Sequence, residues 1–178
     1  MDKNIEILKN GGIGVIATDT IYGIVGQALN RNTVARIYKV KKRSPSKPFI
    51  ILINTLSDLN SFNVEISEQT KAILNSYWPG PVSIILDCHA TDFEYLHRGT
   101  NTLAFRMPAK AELIEIIEQT GPLVAPSANP EGLDPAVDIT AAKAYFTTTV
   151  DFYQEGTVNT KPSRIVKITD KGEEIIRP

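Results

Sequence analysis

The chain has 178 residues, 42% of them hydrophobic and 22% charged, with 19 basic against 20 acidic side chains. That length is enough for one domain with a full core, and the single cysteine, Cys88, excludes an internal disulfide framework or a Cys-rich zinc module. A formal net charge of −1 argues against a surface built throughout for a polyanion, and no apolar run approaches the ~20 residues of a membrane span.

The opening segment, MDKNIEILKN, carries no signal-peptide hydrophobic stretch, so a cytoplasmic protein without a membrane partner is expected. A first helix near Asp2 to Asn10 should stop at Gly11-Gly12. GVIATD, from Gly14, reads as a short apolar strand ending in polar residues. From about Asn32 to Arg43, Val34, Ile37 and Val40 fall near helical spacing, with Asn30 or Asn32 as the cap. PFIILI, from Pro48, reads as a buried strand. This region is electrically unusual. Between Thr20 and Ser57 there is no acid, but Arg31, Arg36, Lys39, Lys41, Lys42, Arg43 and Lys47 give +7, which leaves −8 for the rest. Such a run describes either a solvated helix face or an anion site.

A helix should start at Ser67 and run to Trp78, where Pro79-Gly80-Pro81 breaks it. VSIILDC from Val82 and TLAFRM from Thr102 are strands. Pro108 suits the first turn of a helix whose apolar side is Leu113, Ile116 and Ile117 and which ends at Gly121. PLVAPSAN, Pro122 to Asn129, is a strand running into a loop, followed by a helix near Ile139 to Phe146. Strands near Ser163 to Ile168 and Glu174 to Arg177 flank a hairpin-like turn at Asp170-Lys171-Gly172. No repeat, linker or low-complexity tract marks a boundary, so residues 1–178 are expected to form a single α/β domain with antiparallel pairs among its strands.

Several chemistries are missing. No Walker-type phosphate loop occurs, and the G-x-G-x-x-A at Gly12 to Ala17 precedes a strand instead of joining a strand to a helix. His89 and His97 lie in no nucleophile motif. Cys88 and His89, adjacent on a strand, point to opposite faces, so a metal site is not expected there. What is present is four polar clusters: Thr18 to Gly23; Lys41-Lys42-Arg43 with Lys47; Pro126 to Asn129; and Arg106 in an apolar strand. The first and third are equally describable as turns. Arg106 requires an anion, internal or bound, because an unpaired buried guanidinium costs several kcal/mol. Ser163 and Arg177 add a late hydroxyl and a late guanidinium. The groups are donors and cations with few general bases, which fits nucleotide recognition and phosphoryl or nucleotidyl transfer.

In order and spacing, TDTIYG, KKRSPSKPFIILI, WPGPVSIIL, LAFRMP, APSAN, KPSRIV and the closing IIRP resemble the YrdC-like threonylcarbamoyl-AMP synthase family over roughly residues 14 to 178. The resemblance implies a twisted open mixed sheet with flanking helices around a basic concave cavity. It implies that L-threonine, bicarbonate and ATP, with Mg²⁺, give threonylcarbamoyl-AMP and pyrophosphate. A tRNA-threonylcarbamoyl transferase machinery then uses the product; direct tRNA contact stays open, with no residue pointing to it. The family's Lys-x-Arg and Ser-x-Asn signature falls on Lys41, Arg43, Ser127 and Asn129. Its ATP contacts fall on Arg43, Lys47, Thr102, Ser127 and Arg177, and its threonine contacts on Thr20, Arg106, Ala125 and Ser163. On this reading Lys41 and Arg43 would neutralise the transferring phosphoryl group.

Ala17, Leu52, Pro135 and Arg164 depart from residues common in that family, which bears on affinity. The extra C-terminal domain of longer members is not expected. A non-catalytic nucleotide- or RNA-binding relative of the same fold is the alternative. Carbamoyl-adenylate chemistry of the hydrogenase-maturation type is a third.

Overall fold

Alternation of side chains along the strands decides how the chain is layered. The computed structural model describes residues 3–169 and 172–178. Its strands are β1 (Gly14–Ala17), β2 (Tyr22–Gln27), β3 (Ile50–Leu52), β4 (Val82–Asp87), β5 (Thr102–Arg106), β6 (Leu123–Val124), β7 (Phe152–Gln154), β8 (Arg164–Thr169) and β9 (Gly172–Arg177). They form one sheet in the order β7-β1-β2-β6-β3-β5-β4-β8-β9. Pairs β1–β7, β3–β5 and β4–β8 are parallel, and the other five are antiparallel. The mixed α/β architecture expected from the sequence is thus observed.

Val15, Ile24, Ile51, Phe105 and Val124 face one core, together with the buried residues of α2 (Arg31–Lys41) and α6 (Ile139–Phe146). Their chain neighbours Ile16, Val25, Leu52 and Leu123 face the other. That second core is completed by Ile5 and Leu8 of α1 (Lys3–Lys9) and by Leu113, Ile116 and Ile117 of α5 (Ala111–Thr120). The period of two therefore supplies two apolar faces, each covered by helices.

Helix α2 begins where Asn30 Oδ1 accepts the N–H groups of Asn32 and Thr33, at 3.1 and 3.2 Å. It ends at Lys42, which adopts the left-handed conformation, φ 51°. Helix α3 (Glu68–Tyr77) is capped by Ser67, whose Oγ accepts from Thr70 N. Both starts match the sequence reading. Helix α5 does not. It begins at Ala111, three residues after Pro108, because Lys110 is extended and its Nζ donates to Ala17 O and Thr157 O, at 3.1 and 3.0 Å.

Strand β2 is absent from the sequence reading, which stopped at a polar cluster. Thr18 Oγ1 donates to Ile21 O at 2.7 Å and accepts from Thr20 N at 3.1 Å, turning the chain so that β2 returns antiparallel to β1. The 3-10 helix Leu56–Phe62, the short α4 (Glu94–His97) and β7 are likewise additions. Strands β8 and β9 form the expected antiparallel hairpin; Asp170 and Lys171 of its turn lie outside the described residues. Residues 155–163 connect β7, at one end of the sheet, to β8, next to the other end, and cross by the β1–β2 turn, where Asn159 N donates to Thr20 O. Among the described residues no helix is long and apolar enough to cross a membrane.

Close packing of α2 on β2 depends on Gly26, where an added Cβ would lie 2.4 Å from Thr33 Cγ2 and 3.0 Å from Ile13 Cγ2. Gly26→Ala is expected to destabilise by about 1–3 kcal/mol through overpacking, read as a lower urea midpoint with an unchanged slope. A midpoint equal to the parent's would show that the helix can shift without cost.

Candidate active site

A turn, two loops, two strand ends and the last segment converge on a cavity of about 270 Å³. The β1–β2 turn contributes Thr18 and Thr20, the basic loop Arg43, and the start of β3 Phe49 and Ile50. The end of β5 contributes Arg106, the loop after β6 contributes Ala125, Pro126 and Ser127, and the last segment contributes Ser163 and Arg177. A larger hollow, about 560 Å³, lies between α3 and β4–β8, but its charged lining is Glu65, Asp87 and Lys167, without converging cations. The smaller cavity is where the chemistry gathers.

On its wall, Arg106 is 3% exposed and forms an ion pair with Asp19. Burial lowers its proton affinity, and Asp19 opposes that change. Its Nε has no partner among the described residues, so one edge of the guanidinium is unsatisfied. Nearby, Arg177 donates from Nε and Nη2 to Ser163 O, at 2.9 and 2.5 Å, and from Nη2 to Ser163 Oγ at 3.2 Å. Burial and then the charge of Arg106 push its proton affinity down. Ser163 Oγ and Ser83 Oγ are 2.8 Å apart, and Thr20 Oγ1 lies 3.0 Å from Thr18 Oγ1. Two guanidinium groups and several hydroxyls thus surround a space for a small anionic, hydroxyl-bearing molecule.

Also on the wall, Arg43 donates from Nε to Lys47 O at 3.1 Å and lies over the Phe49 ring, 5.4 Å from its centroid. Phe49 in turn stacks on Tyr38 with centroids 4.0 Å apart. Ser127 sits where its backbone bridges Gly23 of β2. Its Oγ donates to Asn129 Oδ1 at 2.6 Å, while Asn129 Nδ2 donates to Leu133 O at 2.6 Å and Pro130 O at 3.1 Å. Asn129 therefore shapes the loop and does not line the cavity.

Lys41, expected against the transferring phosphoryl group, is 1% exposed and is not among the residues that line the cavity. Its Nζ donates to Ser127 O, to Asn129 O at 2.6 Å and to Asn129 Oδ1 at 3.5 Å. It is a brace between the end of α2 and the Ser127–Asn129 loop. Lys47 is also off the wall, in an ion pair with Glu131. Thr102, expected at ATP, pairs with Asp87 at the far end of β5 from Arg106 and does not line the cavity either. Thr20, Arg43, Arg106, Ala125, Ser127, Ser163 and Arg177 are brought together. Missed altogether were the pairing roles of Asp19 and Glu131. The buried Arg106 signalled a partner, but the sequence could not say which acid. Among the described residues no group of three or more His, Cys, Asp or Glu side chains is placed to hold a metal ion.

A family model for the Sua5/YciO/YrdC domain, described as telomere recombination, matches residues 6–178. The chain belongs to the Sua5/YciO/YrdC family. One Sua5/YciO/YrdC relative, the threonylcarbamoyl-AMP synthase of Pyrococcus abyssi, is 33% identical over 126 residues, covering 70% of this chain and 37% of that protein. A putative threonylcarbamoyl-AMP synthase of Mycobacterium leprae is 28% identical over 176 residues, covering 97% and 80%. The crystal structure of P. abyssi Sua5 complexed with L-threonine superposes with a TM-score of 0.90 at 27% identity, over 98% of this chain and 52% of that one. The chain thus spans about half the length of that Sua5 protein. The mixed sheet and helices match a Sua5/YciO/YrdC fold, as the resemblance implied.

Burial, reinforced by Arg43 and opposed by Glu131, pushes the Lys41 ammonium down from 10.5 to about 7. The cost of that burial is fully present below about 7 and is relieved as pH rises toward 10.5, because the unfolded lysine still holds a proton that the folded one has released. Urea unfolding at pH 7 and pH 9.5 should therefore show the parent gaining stability relative to Lys41→Met. Parallel pH trends in the two proteins would contradict this.

Proposed function

We propose that this chain forms L-threonylcarbamoyl-AMP and pyrophosphate from L-threonine, bicarbonate and ATP. The observation that carries the reading is a single cavity lined by Arg43, Arg106 and Arg177 together with Thr20, Ser127 and Ser163. The names of the relatives support it, as does the L-threonine bound by P. abyssi Sua5.

In this mechanism the threonine carboxylate meets the free edge of Arg106, while Thr20 and Ser163 supply hydroxyls toward its side chain. The backbone at Ala125 lies on the same wall. The amine and bicarbonate condense to a carbamate with loss of water. A carbamate oxygen then attacks the α-phosphorus of ATP, and the bond from that phosphorus to the pyrophosphate oxygen breaks. Arg43 takes the charge that develops on the phosphates, joined by Lys47 once it leaves Glu131, and Ser127 orients them. Lys41 and Asn129 hold the Ser127 loop in register. Magnesium would enter with the nucleotide substrate, since Asp19 and Glu131 are each engaged by a cation. The product would serve a tRNA-modifying transferase, which places the reaction in the cytoplasm.

Pyrophosphate release from ATP should require both threonine and bicarbonate. Release indifferent to threonine, or ATP binding without turnover, would favour a non-catalytic nucleotide-binding relative. Arg43→Ala is expected to lower kcat by roughly 10²–10³ with folding retained. Arg106→Ala should chiefly raise the KM for threonine, and an unchanged threonine dependence would remove Arg106 from the carboxylate site.

A further inference from the structure

One acid faces the basic loop. Through one carboxylate oxygen Glu131 accepts the Ser44 N–H at 2.5 Å, and through the other it pairs with the Lys47 ammonium. Its own N–H donates to Lys41 O at 2.8 Å, so backbone and side chain both clamp the segment from Lys41 to Lys47. No acid exists anywhere between Thr20 and Ser57, so the countercharge has to come from another part of the chain. The Lys47 bond, then the Ser44 amide, hold the Glu131 carboxyl below its usual range, and Arg43 adds attraction. The Lys47 side chain is 57% exposed and that of Glu131 27% exposed, so both reach solvent and can change partner.

A backbone N–H and an ammonium directed at two oxygens of one anion form a donor set that also suits phosphate. We propose, resting on the function given above, that Glu131 is an internal stand-in for phosphate: its carboxylate occupies Ser44 N–H and Lys47 in the nucleotide-free protein, and the triphosphate displaces it from Lys47 on binding. Nucleotide entry is then an exchange of one anion for another. The exchange favours a ligand that brings more negative charge than the carboxylate it replaces, so Glu131 is a specificity-determining residue. It holds back weakly charged ligands and admits a triphosphate.

Calorimetric titration of the whole chain with ATP, inorganic triphosphate and adenosine tests this. Glu131→Gln keeps an oxygen for the Ser44 N–H but removes the charge. It should bind ATP and triphosphate roughly two- to five-fold more tightly than the parent, with adenosine affinity unmoved. Glu131→Ala, which also loses the Ser44 bond, should be cut by trypsin after Arg43 several-fold faster than either. ATP binding by the parent with no gain in Glu131→Gln, or an equal gain for adenosine, overturns the inference alone. A parent that binds neither ATP nor triphosphate overturns the proposed function with it.

Discussion

The buried ammonium of Lys41 joins two parts of the chain that line the cavity. It lies at the end of α2 and donates to backbone oxygens of Ser127 and Asn129, 86 and 88 residues away. Taking a lysine out of water is unfavourable unless its protons meet acceptors, and here three oxygens meet them. The result is a fixed distance between the helix that leads into Arg43 and the loop that presents Ser127. Arg43 and Ser127 line one cavity, and Lys41 ties their supports together.

Two other cations, Arg106 and Lys47, follow a second rule, in which each meets an acid. Arg106 has Asp19, and Lys47 has Glu131. Because the partners reach the site from the β1–β2 turn and the loop after Asn129, folding itself assembles the charge balance. The net charge of −1 conceals this arrangement, since the +7 stretch is answered by acids remote in sequence. The cavity is cationic only along those edges of Arg43, Arg106 and Arg177 that the protein leaves unpaired.

What could be read from the sequence was governed by range. Helix α2 was legible because its cap, Asn30, sits two and three residues from the N–H groups it accepts. The apolar runs of β3, β4 and β5 were legible because burial on both faces leaves few polar residues within them. Strand β2 was hidden by Thr18 and Thr20, whose local bonds make the turn before it, and β7 by its three-residue length. Residues of the site were recognisable as a group through family resemblance, yet their orientations were not. That Lys41 turns away from the cavity follows from acceptors 86 and 88 residues distant, and the Lys47–Glu131 and Arg106–Asp19 pairs span 84 and 87 residues. Pairings of that range depend on the finished sheet, not on local pattern.

The path of residues 155–163 has a consequence for how the chain is made. Strand β1 emerges among the first residues, but its parallel neighbour β7 follows more than a hundred residues later, where Ile13 N also finds Asp151 Oδ2. During synthesis β1 therefore presents an unpaired edge, with β2 as its only sheet neighbour, until β7 appears. Such long-range pairing costs loop entropy before it gains contacts, so closure of this edge belongs late in folding. The same nine residues then deliver Ser163 and β8, so the cavity is completed by a segment later in the chain than its other walls. Until residues 163–177 are made, the earlier walls of the cavity stand without Ser163 and Arg177.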